Sequence, residues 1–187
     1  MNWFRENPLK VFLVVLIVVV ASIATVHAYF KLLFPQAGPR VSITSPPLEF
    51  SMKLDKAEYK LGENVTIRLS VKNIDNKTIT LTWYEYYMYD NALMYFDFYI
   101  IDANGTLVYQ WTKDHAALQA VLKRTLSPGE QLTSVYPWYQ LNGYPNEAQV
   151  PAGTYTVRGS TRKVGLTVED QTAAITLETP TVTFIIK

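Results

Sequence analysis

The chain has 187 residues, which suits one domain and an accessory segment. Its 17 basic and 16 acidic residues leave a net charge of +1, without the basic surplus that displaces counterions from nucleic acid, so no nucleic-acid partner is expected. Cysteine is absent, which excludes disulfides, thiolate metal sites and a thiol nucleophile.

Residues 11–30, VFLVVLIVVVASIATVHAYF, carry no formal charge at neutral pH. As a helix they would rise roughly 30 Å, about the thickness of a bilayer's hydrocarbon core. Lys10 and Lys31 bracket the run and can snorkel to the two interfaces. Trp3, Phe4, Tyr29, Phe30 and Phe34 are of the aromatic types found at headgroup depth, and Pro35 ends the helix. The expectation is a cytoplasmic stub and single transmembrane helix over 1–35, a linker over 36–46 and a soluble domain over 47–187. A signal peptide cut after Ala28 is the alternative, with Val26 and Ala28 at the small-residue positions. The length of the run and its continuation through Tyr29 and Phe30 favour the anchor. Arg5 and Lys10 precede the span while Lys31 and Arg40 follow it, so the positive-inside count is tied. The sequons NVT, NKT and NGT mark Asn64, Asn76 and Asn104 as candidate glycosylation sites and favour an extracellular domain on the cell membrane.

From residue 47 onward the helical period gives way to alternation. LEFSMKL (48–54) is the first candidate strand. In VTIRLSVK (65–72), Val65, Ile67, Leu69 and Val71 fall on one face and Thr66, Arg68, Ser70 and Lys72 on the other. TITLTW (78–83) repeats the pattern with Ile79, Leu81 and Trp83 inward, and NIDNK between the two strands has the composition of a hairpin turn. YFDFYIID (95–102) sets Phe96, Phe98 and Ile100 against Asp97 and Tyr99, with Asp97 directed to solvent or paired across the strand. ANG then turns the chain into TLVYQW (106–111). DHAALQAVL (114–122) reads as one or two helical turns. QLTSVYPW (131–138), GTYTVRG (153–159) and TVTFIIK (181–187) complete the strand set. Short strands at these intervals, parted by SPGE and VPAG, predict an all-β, immunoglobulin-like antiparallel sandwich behind one N-terminal transmembrane helix.

Little in the chain suggests chemistry. His27 lies in the apolar run and His115 in the helix-like piece; two distant histidines without cysteine make no metal site. Asp114 beside His115 reads as a solvated loop pair, and DANG (102–105) reads as a turn, lacking the spacing and terminal Glu of a calcium loop. No phosphate loop, nucleophile elbow or paired carboxylates occur, so no catalytic residue and no cofactor are assigned, and the protein is expected not to be an enzyme.

TWYEYYMYD (82–90) is the exception to this plainness, with one Trp and four Tyr in nine residues. With Trp83 inward, Tyr84, Tyr86 and Tyr87 cannot all share its face, because neighbours in a strand point oppositely. Either a loop folds these rings over one end of the sandwich, or they form a recognition surface, for which Tyr supplies large contact area at small entropic loss. VYPWYQLNGY (135–144) is a second such stretch. Tyr84, Tyr86, Tyr87, Tyr89, Tyr136, Trp138, Tyr139 and Tyr144 are therefore the candidate partner-binding residues, for a protein or a glycan.

YKLGENVTIRLSVKN, FDFYIIDANGTLVYQW, LSPGE and VPAGTYTV, in that order, resemble the intracellular proteinase inhibitor (BsuPI) family over roughly residues 50–160. The matching residues are those of a scaffold. Gly105 and Gly129 sit in tight turns, and Phe96, Phe98, Trp111 and Tyr155 look like core rings. The resemblance implies protease inhibition as an activity but identifies no inhibitory residue. The aromatic insertion at 82–95 and the N-terminal span depart from what it implies. A non-enzymatic, membrane-anchored binding or assembly module is the reading of the whole, with protease inhibitor or accessory subunit of a membrane complex as alternatives.

Overall fold

A computed structural model describes residues 38–187 apart from Tyr144 and Asn146, together with Leu16, Val19 and Val20. Those three are helical and exposed; the rest of the expected span at 11–30 lies outside the described residues. Among the described residues no helix is long and apolar enough to cross a membrane. Gly38–Lys187 form one compact unit.

This unit is all-β, in three main sheets and one small hairpin. The first sheet has the order β1 (Arg40–Ser45), β2 (Leu48–Leu54), β4 (Val65–Asn73), β11 (Gln131–Trp138), all antiparallel. The second runs β3 (Glu58–Tyr59), β15 (Val182–Ile186), β12 (Gly153–Ser160), β8 (Asp97–Asp102), β9 (Leu107–Gln110), with only the short β3 parallel to its neighbour. The third runs β10 (Leu122–Leu126), β5 (Ile79–Trp83), β13 (Val164–Val168), β14 (Gln171–Ile175). β6 (Tyr87–Tyr89) and β7 (Ala92–Met94) form the hairpin.

The alternation in the sequence explains how the layers meet. Val65, Ile67, Leu69 and Val71 of β4 and Leu48, Phe50, Met52 and Leu54 of β2 are all buried, so two adjacent strands present one continuous apolar face. Rings of the first sheet lock onto rings of the second: Phe50 on Phe96 at 5.3 Å, Trp138 on Phe184 at 6.0 Å and on Tyr155 at 6.2 Å. The sheets approach closely at Gly159, where a Cβ would stand 2.4 Å from Leu69 Cδ2. The result is a β-sandwich.

Three sequence expectations are corrected. NIDNK does not close a hairpin: β4 belongs to the first sheet and β5 to the third. The chain crosses between sheets there, and the buried Asn73 holds the corner. Its Nδ2 donates to Lys77 O at 2.7 Å and Leu126 O at 3.0 Å, and its Oδ1 accepts from Asp75 N. A polar side chain that satisfies three backbone groups replaces the missing ladder bonds. The linker expected at 36–46 contains β1, which pairs along its whole length with β2. Residues 114–122 are not helical; a 3₁₀ turn at Trp111–Lys113 precedes an irregular segment, turned again where Ala120 N donates to Leu118 O, that leads into β10. Of the two expectations for Asp97, solvent or a partner across the strand, the structure shows the second: Asp97 is 1% exposed and accepts from Gln110 of the neighbouring β9 at 2.8 Å, with residues 110–112 wrapped over its face of β8. The remaining candidate strands are present within a residue or two of their expected ends.

Candidate functional site

Asp90 and Asn91 explain the aromatic stretch. Both adopt positive φ, 48° and 60°, and close a two-residue turn between Tyr89 and Ala92. Asp and Asn tolerate this left-handed conformation, and a turn of this kind matches the twist of a hairpin. The stretch is thus folded back on itself. Because side chains alternate, the hairpin acquires two faces.

The inner face carries Tyr87, Tyr89 and, opposite Tyr87, Met94. Tyr87 is buried, with the Arg162 guanidinium 4.8 Å above its ring. Burial, the largest influence, raises its pKa; the nearby Glu85 adds to that while Arg162 opposes it. Arg162 also donates to Glu85 O at 3.1 Å and to Tyr95 O at 3.4 Å, so one half-left-handed arginine (φ 56°) pins the base of the insertion. Tyr89 packs edge-on against Trp111 at 5.3 Å and shares a hydroxyl–hydroxyl hydrogen bond of 2.7 Å with Tyr139. That hydrogen bond is the leading cause of the raised Tyr89 pKa.

The outer face carries Tyr86, Met88, Leu93 and Leu118. Met88 stands opposite Leu93, and Tyr86 forms an antiparallel bridge with Leu118. The bridge consists of Leu118 N to Tyr86 O at 2.8 Å and Tyr86 N to Leu118 O at 3.3 Å. Met88 and Leu118 are exposed, and Tyr86 and Leu93 half-buried. The segment around Leu118 therefore meets β6 at this one bridge, and it turns away at once, where Ala120 N donates back to Leu118 O at 2.9 Å; Met88 and Leu118 present uncharged apolar side chains to solvent, while Leu93 packs against the core.

A chain of contacts fixes this segment at its start. Asp97 accepts hydrogen bonds from Thr112 N (3.1 Å), Thr112 Oγ1 (2.7 Å), Gln110 Nε2 (2.8 Å) and Phe98 N (2.9 Å). This anchors the turn that presents Trp111. His115 stacks on the Trp111 ring at 3.6 Å, with its Nδ1 2.9 Å from Trp111 O. The ring of His115 is thus half-buried against an indole rather than solvated all round.

Of the eight aromatic candidates, Tyr84 and Tyr139 are exposed, Tyr86 and Tyr89 half-buried, and Tyr87, Tyr136 and Trp138 buried. Tyr144 lies outside the described residues. Tyr136 and Trp138 are corrected to core residues. Strand β11 turns both inward: Tyr136 Oη accepts from Phe96 N and donates to Phe96 O, each at 2.9 Å, and Trp138 Nε1 donates to Leu141 O at 2.9 Å. Satisfied polar tips are what allow such rings into a core. Tyr87 is corrected likewise. The two aromatic stretches do meet, through a hydrogen bond between Tyr89 and Tyr139. Tyr139 is carried by a loop that the fully buried Gln140 secures, donating to Lys60 O and Glu63 O and accepting from Gly62 N. Met88, Leu93 and Leu118 were missed because singly they are ordinary aliphatic residues; the Asp90-Asn91 turn signal was the feature that could have revealed their shared face.

A cleft of about 570 Å³ opens beside this region, between β9 and the loop 142–154, lined among others by Leu107, Tyr109, Lys113, Asn142 and Gln149. Asn64, Asn76 and Asn104 are all exposed in turns between strands. Among the described residues no group of His, Asp or Glu is arranged to hold a metal ion.

No curated protein matches the sequence. Several solved structures show distant likeness. The C-terminal domain of wzt is 8% identical, covering 82% of this chain and 83% of that one at a TM-score of 0.41. The CARDB domain of a Pyrococcus furiosus protein, in complex with di-metal ions, is 13% identical, covering 78% and 93% at 0.37. The alkylpurine DNA glycosylase AlkC of Pseudomonas fluorescens, bound to DNA containing an abasic site analog, is 12% identical, covering 75% of this chain at 0.37; the present chain spans only 30% of that enzyme. The family comparison is of a different order: residues 52–165, more than half of the chain, match the model for an intracellular proteinase inhibitor. That description is of an inhibitor and not of a catalyst, in agreement with the non-enzymatic reading. The chain belongs to the intracellular proteinase inhibitor (BsuPI) family.

Proposed function

We propose that this protein is a non-enzymatic binding module that docks a protein partner on the outer face of the β6–β7 hairpin, and that a proteinase is that partner. The observation that carries the reading is the uncharged surface of exposed Met88 and Leu118 beside half-buried Tyr86 and Leu93, assembled from two separate segments and underpinned by buried polar networks. Exposed aliphatic side chains on a rigid base suit the apolar centre of a protein interface. The family description supports a proteinase as the partner to try first.

The immunoglobulin-like arrangement of the sandwich, a membrane tether at 11–30 and an extracellular domain belong to the same proposal. The uncharged run of twenty residues supports the tether, and the three exposed sequons support the outward orientation. The test is titration of the purified full chain, in mild detergent, against a panel of serine, cysteine and metallo-endopeptidases. Stoichiometric inhibition of at least one, lost in Met88→Asp, is expected. No inhibition across the panel overturns the proteinase reading. Protease shaving of intact cells checks the orientation: an outward domain is removed, an inward one is protected.

A further inference from the structure

The outer strands of the three main sheets differ in how they are guarded against a further strand. Charge, proline and short length are the usual devices. β10 carries Lys123 and Arg124, β11 carries Pro137, and β3 is two residues long and includes Glu58. β1 starts at Arg40 and lies between Pro39 and Pro46-Pro47. β9 has four residues, and Gly143 N already donates to Val108 O at 3.0 Å. β14, QTAAI, holds neither charge nor proline, and Gln171, Thr172, Ala173 and Ala174 are all exposed.

The turn before β14 decides which of its backbone groups are free. Glu169 and Asp170 both hold positive φ, 43° and 65°, and close a two-residue hairpin between Val168 and Gln171. The residues flanking such a turn exchange hydrogen bonds, and an antiparallel ladder then alternates. Val168 with Gln171, Leu166 with Ala173 and Val164 with Ile175 are therefore the bonded pairs, while Thr167 with Thr172 and Gly165 with Ala174 are not. The hydroxyls of Thr167 and Thr172, 2.8 Å apart, link the first of these open pairs through side chains instead. Thr172 and Ala174 thus direct their N–H and C=O away from β13, and no backbone group among the described residues bonds them there. They form a free sheet edge with an uninterrupted register.

We infer that β14 pairs antiparallel with β14 of a second copy of this chain, about a two-fold axis at Ala173, and so joins the two third sheets into one. The strand's own order of residues selects a second copy. With Ala173 opposite its symmetry mate, Thr172 stands opposite the partner's Ala174 and Ala174 opposite the partner's Thr172, so the free backbone groups meet one another. Gln171 falls opposite the partner's Ile175, and no like charges are opposed. Ala173 and Ile175 share a face with the buried Leu166 and Val164 across the hairpin, so the joined strands extend the apolar face of the sheet. Five residues make a small contact, and the dimer is accordingly weak, in the micromolar range.

Light scattering on the full chain in mild detergent, over a dilution series, is expected to show the mass rising from one chain to two with concentration. Thr172→Pro and Ala174→Pro each remove an outward N–H that carries no intramolecular bond. Each is expected to keep the thermal midpoint and to abolish the rise, since an edge strand tolerates proline where its N–H faces outward. The absence of cysteine from the chain allows a positional check. Ala173 and its symmetry mate form a non-bonded pair with Cα atoms about 4.5 Å apart, within disulfide reach. Ala173→Cys is therefore expected to oxidise to a covalent dimer about 10-fold faster or more than Ser42→Cys on the edge of β1, because pairing holds the two thiols at high effective concentration. A chain that stays single at every concentration, a dimer that survives both proline variants, or equal oxidation at positions 173 and 42 overturns the assignment. None of these outcomes touches the proteinase reading, which rests on the β6–β7 hairpin.

Discussion

Trp138 and Tyr139 are neighbours with opposite surroundings. Trp138 is 1% exposed among Tyr109, Tyr155 and Phe184, while Tyr139 is 47% exposed and tied to the molecule through one hydroxyl. Trp138→Ala is expected to destabilise the domain by about 3–5 kcal/mol, the range for emptying a core aromatic site. Tyr139→Phe removes only a half-exposed hydrogen bond and is expected to cost about 0.5–1.5 kcal/mol. Urea denaturation of the two variants separates a core residue from a surface one. Asp97 is the polar counterpart. Replacing it with Ala leaves donors on Phe98, Gln110 and Thr112 without their acceptor in a buried place. A loss of about 3 kcal/mol or more is expected, since each buried unsatisfied group costs about 1–3 kcal/mol. The local consequence matters more for function: Thr112 sits next to Trp111, so His115 should lose its stacking partner's fixed position, visible as a change in near-ultraviolet circular dichroism.

Among the elements, the β6–β7 hairpin depends most on its turn. Asn91 holds φ 60°, a region costly for branched side chains. Asn91→Val is expected to destabilise the hairpin by about 1–2 kcal/mol, as the left-handed conformation requires. The turn itself is exposed at Asp90 and Asn91, so the effect should appear locally even though Tyr87 and Met94 at the base of the hairpin are buried in the core. Hydrogen exchange at Tyr87 and Met94 should accelerate while β4 and β11 stay protected. Equal acceleration throughout would mean that the hairpin and the sandwich open as one unit. The segment 116–121 should follow the hairpin in this experiment, since its one backbone bridge is to Tyr86.

In the molecule as a whole, tyrosine is the titrating group that matters. Burial raises the pKa of Tyr59, Tyr99, Tyr109, Tyr136 and Tyr155, and the hydrogen bond to Tyr139 raises that of Tyr89. The folded state thus favours the protonated, neutral phenol. The contribution is fully present below the unfolded value of about 10 and is lost as pH rises through the higher folded values. Stability is expected to hold from neutral pH to about 9 and then fall steeply, with tyrosinate absorbance appearing together with unfolding. A gradual rise of that absorbance in the folded protein would show that the rings reach solvent.

The strands of the sandwich were legible in the sequence because each carries its own period: Val65 to Val71, Leu48 to Leu54 and Phe96 to Ile100 state which face is buried without reference to any neighbour. The resemblance of the motifs from YKLGEN to VPAGTYTV was legible for the same reason, being made of local turns and core rings. Partnership was not. The passage from β4 to β5 has the residues of a hairpin, yet Asn73 turns it into a crossing between sheets by bonding to Leu126, which is 53 positions away. Tyr136 and Tyr139 are the same residue type in the same stretch, and only the positions of Phe96 and Tyr89 decide that one is buried and the other presented. The outer face of the hairpin is the clearest case, since Tyr86 and Leu118 become neighbours only when the chain between them has closed. Alternation is a property of a single strand and is written in its order of residues; which strands lie side by side, and which faces they leave open, depends on contacts between distant segments that no local pattern records.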